Sequence, residues 1–313
     1  MIKYFSHKEI NKRQWDECIS SSVNGRIYAY SWYLDIVADN WDALILDNYQ
    51  AVFPLPFRRK FGVDYVYQPI FTQQLGLFSK VPLSTSLLER FLKEIPSHFQ
   101  YVNLNLNQHN KLKSFNIKSE ARQNIEMDLL DDFSIIQKKY STNLKRNLKK
   151  AAKAKLTIFE NLKPDAVIKL FKANKGKLLG VYSQEDYSRL IRLTYKALQL
   201  NQADVWGAYS AENNLCAAAI FIKSHKRVTF LFSGSNNDAR QNAALPYLLD
   251  SYIEANSAKE LVFDFEGSNN KSLARFYLGF GAQSITYTQI SWLRTSFYLK
   301  AFFNIYLRFR QHS

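Results

Sequence analysis

The stretch DFEGSNNKSLARFYLGFGA, residues Asp264–Ala282, decides the fold. Phenylalanines alternate with carboxylates at the end of a predicted strand from Leu261 to Glu266, and Gly267 follows as a turn residue. The next residues predict a short helix from Lys271 to Leu278 and a further strand from Ile285 to Leu293. A strand, a turn, a helix and a strand in this order indicate an α/β fold.

The residues upstream extend the same pattern. Hydrophobic spacing predicts a long helix, a strand, two helices, three antiparallel strands and a helix, in this order: Ser134–Ala154, Leu156–Glu160, Pro164–Asn174, Gln184–Leu200, Asp204–Ser210, Leu215–Lys223, Arg227–Gly234 and Ala239–Asn256. The first half of the chain shows a similar order less completely, and 313 residues suit two domains. We therefore predict an α/β (α+β mixed sheet) fold with two tandem domains, residues 1–128 and 129–313.

The charge balance points to anionic partners. Lysine and arginine number 42 and aspartate and glutamate 27, so the formal net charge is +15. Such a chain is expected to meet nucleic acid, phosphate-bearing small molecules or anionic lipid. The basic, aromatic tail Phe297–Ser313 suits a packed helix or, alternatively, peripheral contact with a membrane surface.

Several classes of protein and site are excluded by composition. Cys18, Cys216 and the five scattered histidines have no metal-ligand spacing, so no metal site is predicted. The polar N-terminus and the lack of an apolar run near 18 residues predict a cytoplasmic protein without a transmembrane segment. Glycine-rich phosphate loops of the common nucleotide-binding folds are missing from the sequence.

The helix after Gly267 carries a recognisable spacing. Asn270, Phe276, Tyr277 and Gly281 resemble the N-x-x-x-x-x-[FL]-Y-x-x-x-G pattern of GNAT acyltransferases. The order of predicted elements is also similar to the GNAT fold, so both predicted domains are expected to be GNAT-like.

The whole chain resembles the FemABX family of aminoacyltransferases, which are double-GNAT proteins that add amino acids from aminoacyl-tRNA to peptidoglycan precursors. The residues that carry this resemblance are short motifs: Ser31-Trp32, Ser141-x-Asn143-x-x-Arg146, Asp264-x-x-Gly267, and Phe276 near Gly281. The resemblance implies an acyl or aminoacyl transferase, with acyl-CoA or aminoacyl-tRNA as a co-substrate and no permanently bound cofactor.

Three residues are the predicted catalytic groups. The resemblance implies that Tyr277 is a general acid toward the leaving group. Asp264 and Glu266 are two apart in a predicted strand and are expected to face the same side, where one acts as general base on an amine. The alternative for these carboxylates is a helix cap or an ion pair with Arg275.

The donor is expected at the end of the strand Arg227–Gly234 and at the helix that follows. Backbone amides near Ser233, Gly234 and Ser235 are predicted to stabilise an oxyanion, and Arg240 and Asn270 to bind the donor. In the corresponding GNAT motif, [QR]-x-x-G-x-[GA], Ala243 replaces the glycine. Pro246 in the same stretch has no amide hydrogen, which weakens a pyrophosphate cradle.

The remaining predicted site residues bind substrate. Residues Lys138–Lys155 contain eight basic residues and no acid, so Lys145, Arg146 and Lys149 are expected either to contact phosphates or to form a solvated helix face. Further candidates are Trp32, Tyr67, Gln73, Gln74 and Arg275, of which Tyr67, Gln73 and Gln74 suit either substrate recognition or packing at a domain interface.

Three functions remain open from the sequence. The first is a FemABX-like transferase that acts on an amine of a phosphate-bearing or cell-envelope precursor. The second is a non-catalytic protein that binds RNA or another polyanion on a degenerate GNAT scaffold. The third is an acetyl-CoA-dependent N-acetyltransferase of a small amine or amino sugar.

Overall fold

The computed structural model of the chain describes residues 1–60, 62–113, 117–176, 182–267 and 269–294. The predicted C-terminal tail, Phe297–Ser313, lies outside these residues. The chain divides into two compact units. Of the described residues, the first unit contains those in the ranges 1–122 and 286–294, and the second unit contains those in the range 123–285.

Thirteen strands are found in the described residues. They are β1 Ile2–Phe5, β2 Asn40–Leu46, β3 Ala51–Lys60, β4 Val63–Val66, β5 Phe78–Ser79, β6 Phe99–Leu106, β7 Lys118–Asp128, β8 Thr157–Phe159, β9 Ala203–Tyr209, β10 Leu215–Ser224, β11 Arg227–Ser235, β12 Val262–Asp264 and β13 Gln283–Leu293. The α-helices in the same residues are α1 Lys12–Ser21, α2 Ser31–Val37, α3 Thr85–Lys93, α4 Phe133–Lys138, α5 Thr142–Lys153, α6 Pro164–Phe171, α7 Gln184–Gln199, α8 Asp238–Asn242, α9 Ala244–Asn256 and α10 Lys271–Leu278.

The first unit is a mixed sheet with helices. Its strand order is β1-β2-β3-β4-β6-β13, with β5 beside β3. β4 and β6 are parallel, whereas β13 runs antiparallel to β6 from Thr288 opposite Leu106 to Leu293 opposite Tyr101. This last pairing returns residues 288–293 to the first unit, which a division at residues 128/129 did not anticipate. Pairing between residues so distant in sequence has no local signal.

The second unit is also a mixed sheet, in the order β7-β12-β11-β10-β9-β8. Its parallel pair is β11 and β12, and the pairs β7/β12, β10/β11, β9/β10 and β8/β9 are antiparallel. One hydrophobic core contains residues of β7, β10, β11, α5, α9 and α10. The predicted α/β fold class with mixed sheets is confirmed.

The long helix predicted at Ser134–Ala154 is wrong, because two helices occupy this stretch. α4 ends at Lys138 and α5 begins at Thr142. Ser141 caps α5, since its hydroxyl accepts a hydrogen bond from the amide of Leu144 at 3.3 Å. The backbone amide of Ser141 also donates to the carbonyl of Gly279 at 2.8 Å, which fixes the start of α5 against the end of α10.

Candidate functional site

The candidate site is a cavity that opens where β11 and β12 separate. Their parallel pairing runs from Arg227 opposite Val262 to Thr229 opposite Asp264. β12 ends there, whereas β11 continues to Ser235. The space between them is a cavity of about 640 Å³ that lies within the second unit and is lined by β11, α5, α6, α8, α9 and α10. Clefts of this size are common ligand sites.

β11 contains a β-bulge beside this cavity. Phe221 of β10 lies opposite Phe230, but the preceding Ile220 lies opposite Phe232, so Leu231 is an extra residue in β11. The bulge shifts the alternation along β11 by one. Ser233 and Ser235 therefore face the same side as Phe230, and both line the cavity.

Gly234 has a different environment from its neighbouring serines. A β-carbon built on Gly234 would lie 2.7 Å from both the carbonyl oxygen of Val167 and the amide nitrogen of Phe171. Glycine is therefore required for close packing of β11 against α6. The structure supports a packing role for Gly234. The role of Gly234 in donor binding stays a prediction.

Glu266 lines the cavity, and Asp264 does not. The expectation that both face the same side is wrong. β12 ends at Asp264, and Glu266 has a left-handed backbone with φ of 55°. The two-residue alternation of a strand therefore stops before Glu266.

Asp264 instead belongs to a buried ionic cluster. It is 1% exposed, and its carboxylate lies 2.9 Å from Nη1 of Arg227 and accepts a hydrogen bond of 3.0 Å from Asn124. Arg227 also pairs with Glu126 at 2.8 Å. An acid already paired with arginine and an amide is a structural group, so the geometry does not support Asp264 as the base.

Gly267 completes the Asp264-x-x-Gly267 motif for a steric reason. Its φ is 49°, and an added β-carbon would lie 2.4 Å from the carbonyl oxygen of Gln123 and 2.6 Å from the Cα of Asn124. The motif thus brings the chain after β12 against β7, with its acid in the ionic cluster.

Tyr277 is a buried phenol that lines the cavity. Its ring stacks on Phe265 at 4.9 Å and meets Phe230 edge-on at 6.2 Å. Burial, and then the charge of Glu266, raise the pKa of Tyr277 above its ordinary value, so the phenol stays neutral. Within the described part of the chain its hydroxyl forms no hydrogen bond, which leaves it available to a ligand.

A second group of aromatic residues was missed by the sequence analysis. Tyr182, Phe171 and Phe232 line the cavity, with ring centroids 4.8 to 6.0 Å apart. Burial, followed by the charge of Glu266, raises the pKa of Tyr182 to about 12. No motif marks these residues, because α6, β11 and the segment before α7 meet only in the folded chain.

Asn270, predicted to bind donor, caps α10. Its side-chain oxygen accepts hydrogen bonds from the amides of Ser272 at 3.0 Å and Leu273 at 3.2 Å. Gly281 has a φ of 78°, and a β-carbon there would lie 2.7 Å from the Cβ of Lys139. These two residues of the GNAT-like spacing position α10, and Phe276 and Tyr277 are the ones that line the cavity.

The loop between α8 and α9, taken here as residues 240–246 at the end of α8 and the start of α9, lies at the expected donor position. Arg240, Ala243 and Pro246 line the cavity. Ala243 has a φ of 55°, so it keeps the left-handed backbone that a glycine would adopt without strain. The Ala243 amide donates to the carbonyl of Ala239, and the Ala244 amide donates to the side chain of Asn242 at 3.1 Å. These amides are therefore engaged inside the loop.

The basic helix α5 lies beside this loop. Lys145, Arg146 and Lys149 are exposed, whereas Leu144 and Ala151 are buried in the core. Asn147 lines the cavity, and the ammonium of Lys150 contacts the Arg240 carbonyl at 3.5 Å. One edge of the basic helix therefore reaches the cavity, a relationship that helical spacing alone did not reveal.

Other predicted substrate-binding residues lie outside the cavity. Trp32, Tyr67, Gln73 and Gln74 belong to the first unit. Tyr67 is buried beneath the guanidinium of Arg58, and Gln74 donates to Gln73 at 2.6 Å.

One of these residues, Gln74, has a structural role. The amide of Gln108 donates to the Gln74 side chain at 2.9 Å, which ties that glutamine into the fold. In the second unit, Arg275 is exposed on α10 and does not line the cavity. Roles of these five residues in substrate binding stay predictions.

Neither a metal centre nor a membrane span emerges from the described ranges. No cluster of three histidine, cysteine or acidic side chains that could hold a metal ion occurs within them. None of the helices in those same ranges has both the length and the apolar character needed to cross a bilayer.

Similarity to known proteins is structural. No protein-family model and no curated protein matches the sequence. The crystal structure of FemX matches with a TM-score of 0.66 at 12% identity, over 93% of this chain and 97% of that chain. The C-terminal domain of a protein named as a lysylphosphatidylglycerol synthetase, from Agrobacterium fabrum, matches with a TM-score of 0.58 at 10% identity, over 91% and 92%.

A third match is a protein of unknown function from Bacteroides thetaiotaomicron, with a TM-score of 0.55 at 9% identity, over 94% of this chain and 100% of that chain. These TM-scores establish a common fold, and identities this low establish nothing more than the fold. The resemblance to FemABX proteins is thereby confirmed at the level of structure, and this chain has the fold of FemX.

Proposed function

We propose that the second unit transfers an acyl group from an activated donor to an amine. The observation that carries this proposal is the separation of β11 from β12, which forms a cavity lined by Glu266, Tyr277 and the strand edge at Ser233. An acyl donor in this cavity would present its carbonyl to the edge of β11 that β12 does not pair. Strand amides there would stabilise the oxyanion.

The reaction is a direct transfer. The carboxylate of Glu266 takes a proton from the incoming ammonium, and the amine nitrogen then forms a bond to the acyl carbon. The bond between that carbon and the donor's sulfur or oxygen breaks. Tyr277, which burial keeps protonated, donates its proton to the departing thiolate or alkoxide. The phenolate of Tyr277 then takes up the second proton, which the amine nitrogen loses as the amide forms. Positioning two reactants in one cavity supplies much of the rate.

The loop between α8 and α9 favours an aminoacyl-tRNA over an acyl-CoA as donor. Two of its amides are engaged inside the loop, and Pro246 has none, so few remain to hold a pyrophosphate. The exposed bases of α5 lie beside the same loop and suit a longer polyanion. We propose a cell-envelope precursor as acceptor, by analogy with the FemABX proteins.

The deciding experiment is a transfer assay with labelled aminoacyl-tRNA and with labelled acyl-CoA, each offered to an amine-bearing peptidoglycan precursor. Glu266→Gln and Tyr277→Phe should each lower the rate by about 10²–10⁴. Glu160→Gln, which changes an exposed acid outside the cavity, serves as the control. Transfer that is equally fast in all variants would overturn the assignment.

A second function is favoured by one observation. The engaged amides at Ala243 and Ala244 beside the basic helix would also suit a protein that binds polyanions without catalysis. Tight, salt-dependent RNA binding together with no transfer from either donor would support that function.

A further inference from the structure

We infer that the cavity contains an apolar subsite, on the side of the sheet that α6 covers, which receives a large uncharged side chain of the transferred acyl group. Three aromatic residues form this subsite: Phe171, Tyr182 and Phe232. The inference rests on the proposed function in placing an acyl donor in this cavity. It goes further by naming the class of acyl group, which is comparable in size to a leucyl or phenylalanyl group and larger than a glycyl or alanyl group.

The irregular pairing of β10 with β11 places two phenylalanines on opposite faces of the sheet. Ile220 and Phe221 are adjacent in β10, so they face opposite sides. Their partners in β11 are Phe232 and Phe230, which therefore also face opposite sides although they are two residues apart. Regular alternation would have put both phenylalanines on the same face. The bulge at Leu231 thus gives the cavity aromatic side chains on both faces of the sheet.

Contacts identify the helix that covers each face. The ring of Phe232 lies 4.8 Å from that of Phe171 in α6, and a β-carbon on Gly234 would meet the backbone of the same helix. Phe230 instead meets Tyr277 of α10 edge-on at 6.2 Å. α6 therefore covers one face of the sheet at β11, and α10 covers the other. Because residues from both faces line the cavity, it extends through the gap that β12 leaves beside β11.

The groups expected to hold the donor lie on the α10 face. Ser233 and Ser235 alternate with Gly234, which faces α6, so both serine side chains face α10. α5, α9 and α10 share one hydrophobic core, and the Lys150 ammonium of α5 lies 3.5 Å from the Arg240 carbonyl. A donor whose polyanionic part lies against α5 would place its carbonyl at the edge of β11. The rest of its acyl group then points through the gap toward α6.

The chemistry of the subsite favours an apolar group. The centroids of its three rings lie 4.8 to 6.0 Å apart, so they form a continuous aromatic surface. Contact with such a surface stabilises an apolar group in proportion to the area that it removes from water. A polar side chain would lose hydrogen bonds with water, and three rings with one phenol replace few of them. A glycyl group would leave this surface without contact, so larger apolar acyl groups should bind more tightly.

The first test is direct binding by isothermal titration, without any donor. The probes are three neutral amides that differ in their side chain: N-acetyl-L-phenylalaninamide, N-acetylglycinamide and N-acetyl-L-glutaminamide. The phenylalanine amide should bind at least about tenfold more tightly than the glycine amide, because its ring is removed from water. The glutamine amide has a long but polar side chain and should bind like the glycine amide. Equal binding of all three would overturn the inference.

Variants of Tyr182 test whether the preference arises in this subsite. Tyr182→Ala should reduce the ratio between the phenylalanine and glycine amides several-fold. Tyr182→Phe keeps the ring and should retain the ratio, which separates loss of a ring face from a folding defect. The matched control is Tyr195→Ala, which removes an exposed tyrosine of α7 outside the cavity and should bind like the unaltered protein. An unchanged ratio in Tyr182→Ala would place the preference elsewhere and overturn the inference.

A transfer assay then identifies the group that occupies the subsite. One tRNA species, charged with either phenylalanine or glycine, is offered to the same amine acceptor. The value of kcat/KM should be at least about tenfold higher for the phenylalanyl form. Equal transfer from both forms would overturn the assignment of the subsite to the acyl group. Selective binding of the phenylalanine amide by a protein that transfers nothing would retain the subsite and remove the proposed transferase.

Discussion

The Nη1 atom of Arg227 lies 2.9 Å from Oδ2 of Asp264, and both side chains are nearly inaccessible to water. Glu126 contacts the same guanidinium at 2.8 Å. One cation thus joins acids from β7 and β12 to the first residue of β11. This arrangement holds the parallel pair together immediately before the two strands separate to form the cavity.

Arg227→Met should therefore destabilise the protein by about 3–5 kcal/mol, because it leaves two buried carboxylates without their cation. The neighbouring Lys226 forms an exposed pair with Glu260, so Lys226→Met should cost below about 1 kcal/mol. The free energy of unfolding in urea measures both. Similar values for the two variants would contradict the structural role of the buried cluster.

Tyr277→Phe should lower turnover by about 10²–10⁴, or roughly 3–5 kcal/mol, and leave the melting temperature nearly unchanged. Its hydroxyl forms no hydrogen bond among the described residues, so little stability depends on it. Tyr252 is the matched control, since its hydroxyl donates to Asp204 at 2.6 Å.

Tyr252→Phe should lose about 1–3 kcal/mol of stability and keep the turnover of the folded fraction. Turnover and melting should be measured on the same preparations of both variants. Full activity in Tyr277→Phe would remove this phenol from the mechanism.

Ala243→Gly should stabilise the protein by up to about 1 kcal/mol. The left-handed backbone at φ of 55° strains an alanine but not a glycine, and the greater freedom of glycine in the unfolded chain offsets part of the gain. The control, Ala152→Gly in α5, should instead cost about 0.5–1 kcal/mol. Thermal unfolding of both variants gives the comparison, and equal destabilisation would show that the loop is not strained.

Reversing the charges of Lys145, Arg146 and Lys149 to glutamate should weaken RNA binding and flatten its dependence on salt. Each lost contact with a single-stranded phosphate should lower the slope of log K against log salt by about 0.7. The control reverses three exposed lysines elsewhere in the second unit, Lys196, Lys226 and Lys259, with the same change in net charge. Equal losses in the two triple variants would indicate a general charge effect and not a binding surface on α5.

Asp250 gives a pH-dependent prediction. Burial raises the pKa of this carboxyl to about 6, with the charge of Glu254 adding to the shift and the neighbouring Tyr140 hydroxyl opposing it. Because the pKa of Asp250 is higher in the folded chain, the group contributes stability at pH values below its unfolded pKa near 3.8. This contribution is lost as the pH rises toward 6.

The Asp250→Asn variant cannot ionise at this position, so it should not lose this unfolding free energy, which amounts to at most about 3 kcal/mol. At pH 7 the variant should therefore be more stable than the unaltered protein. Unfolding free energies between pH 3.5 and 7 test the sign. A variant with the same slope over this range as the unaltered protein would show that another group controls it.

Local patterns predicted much of the fold. The strand that ends at Asp264 and the helix Lys271–Leu278 follow from alternating phenylalanines and from hydrophobic spacing, whereas the capping role of Asn270 was seen only in the structure. The break at Ser141 was missed, because a serine in a helical pattern is compatible with either a helix interior or a cap.

Some features of the candidate site follow from the sequence, and others follow only from the tertiary structure. The sequence alone determined that Tyr277 follows the predicted strand in a GNAT-like spacing, that α5 is basic, and that Ala243 replaces a glycine. Only the tertiary structure decided that Asp264 pairs with Arg227 and that Glu266 faces the cavity. It also decided that Tyr182 lies in the cavity wall. The physical reason is that a helix or strand pattern is set by neighbours a few residues apart, whereas a bulge at Leu231, a left-handed Glu266 and contacts between distant elements are fixed by packing.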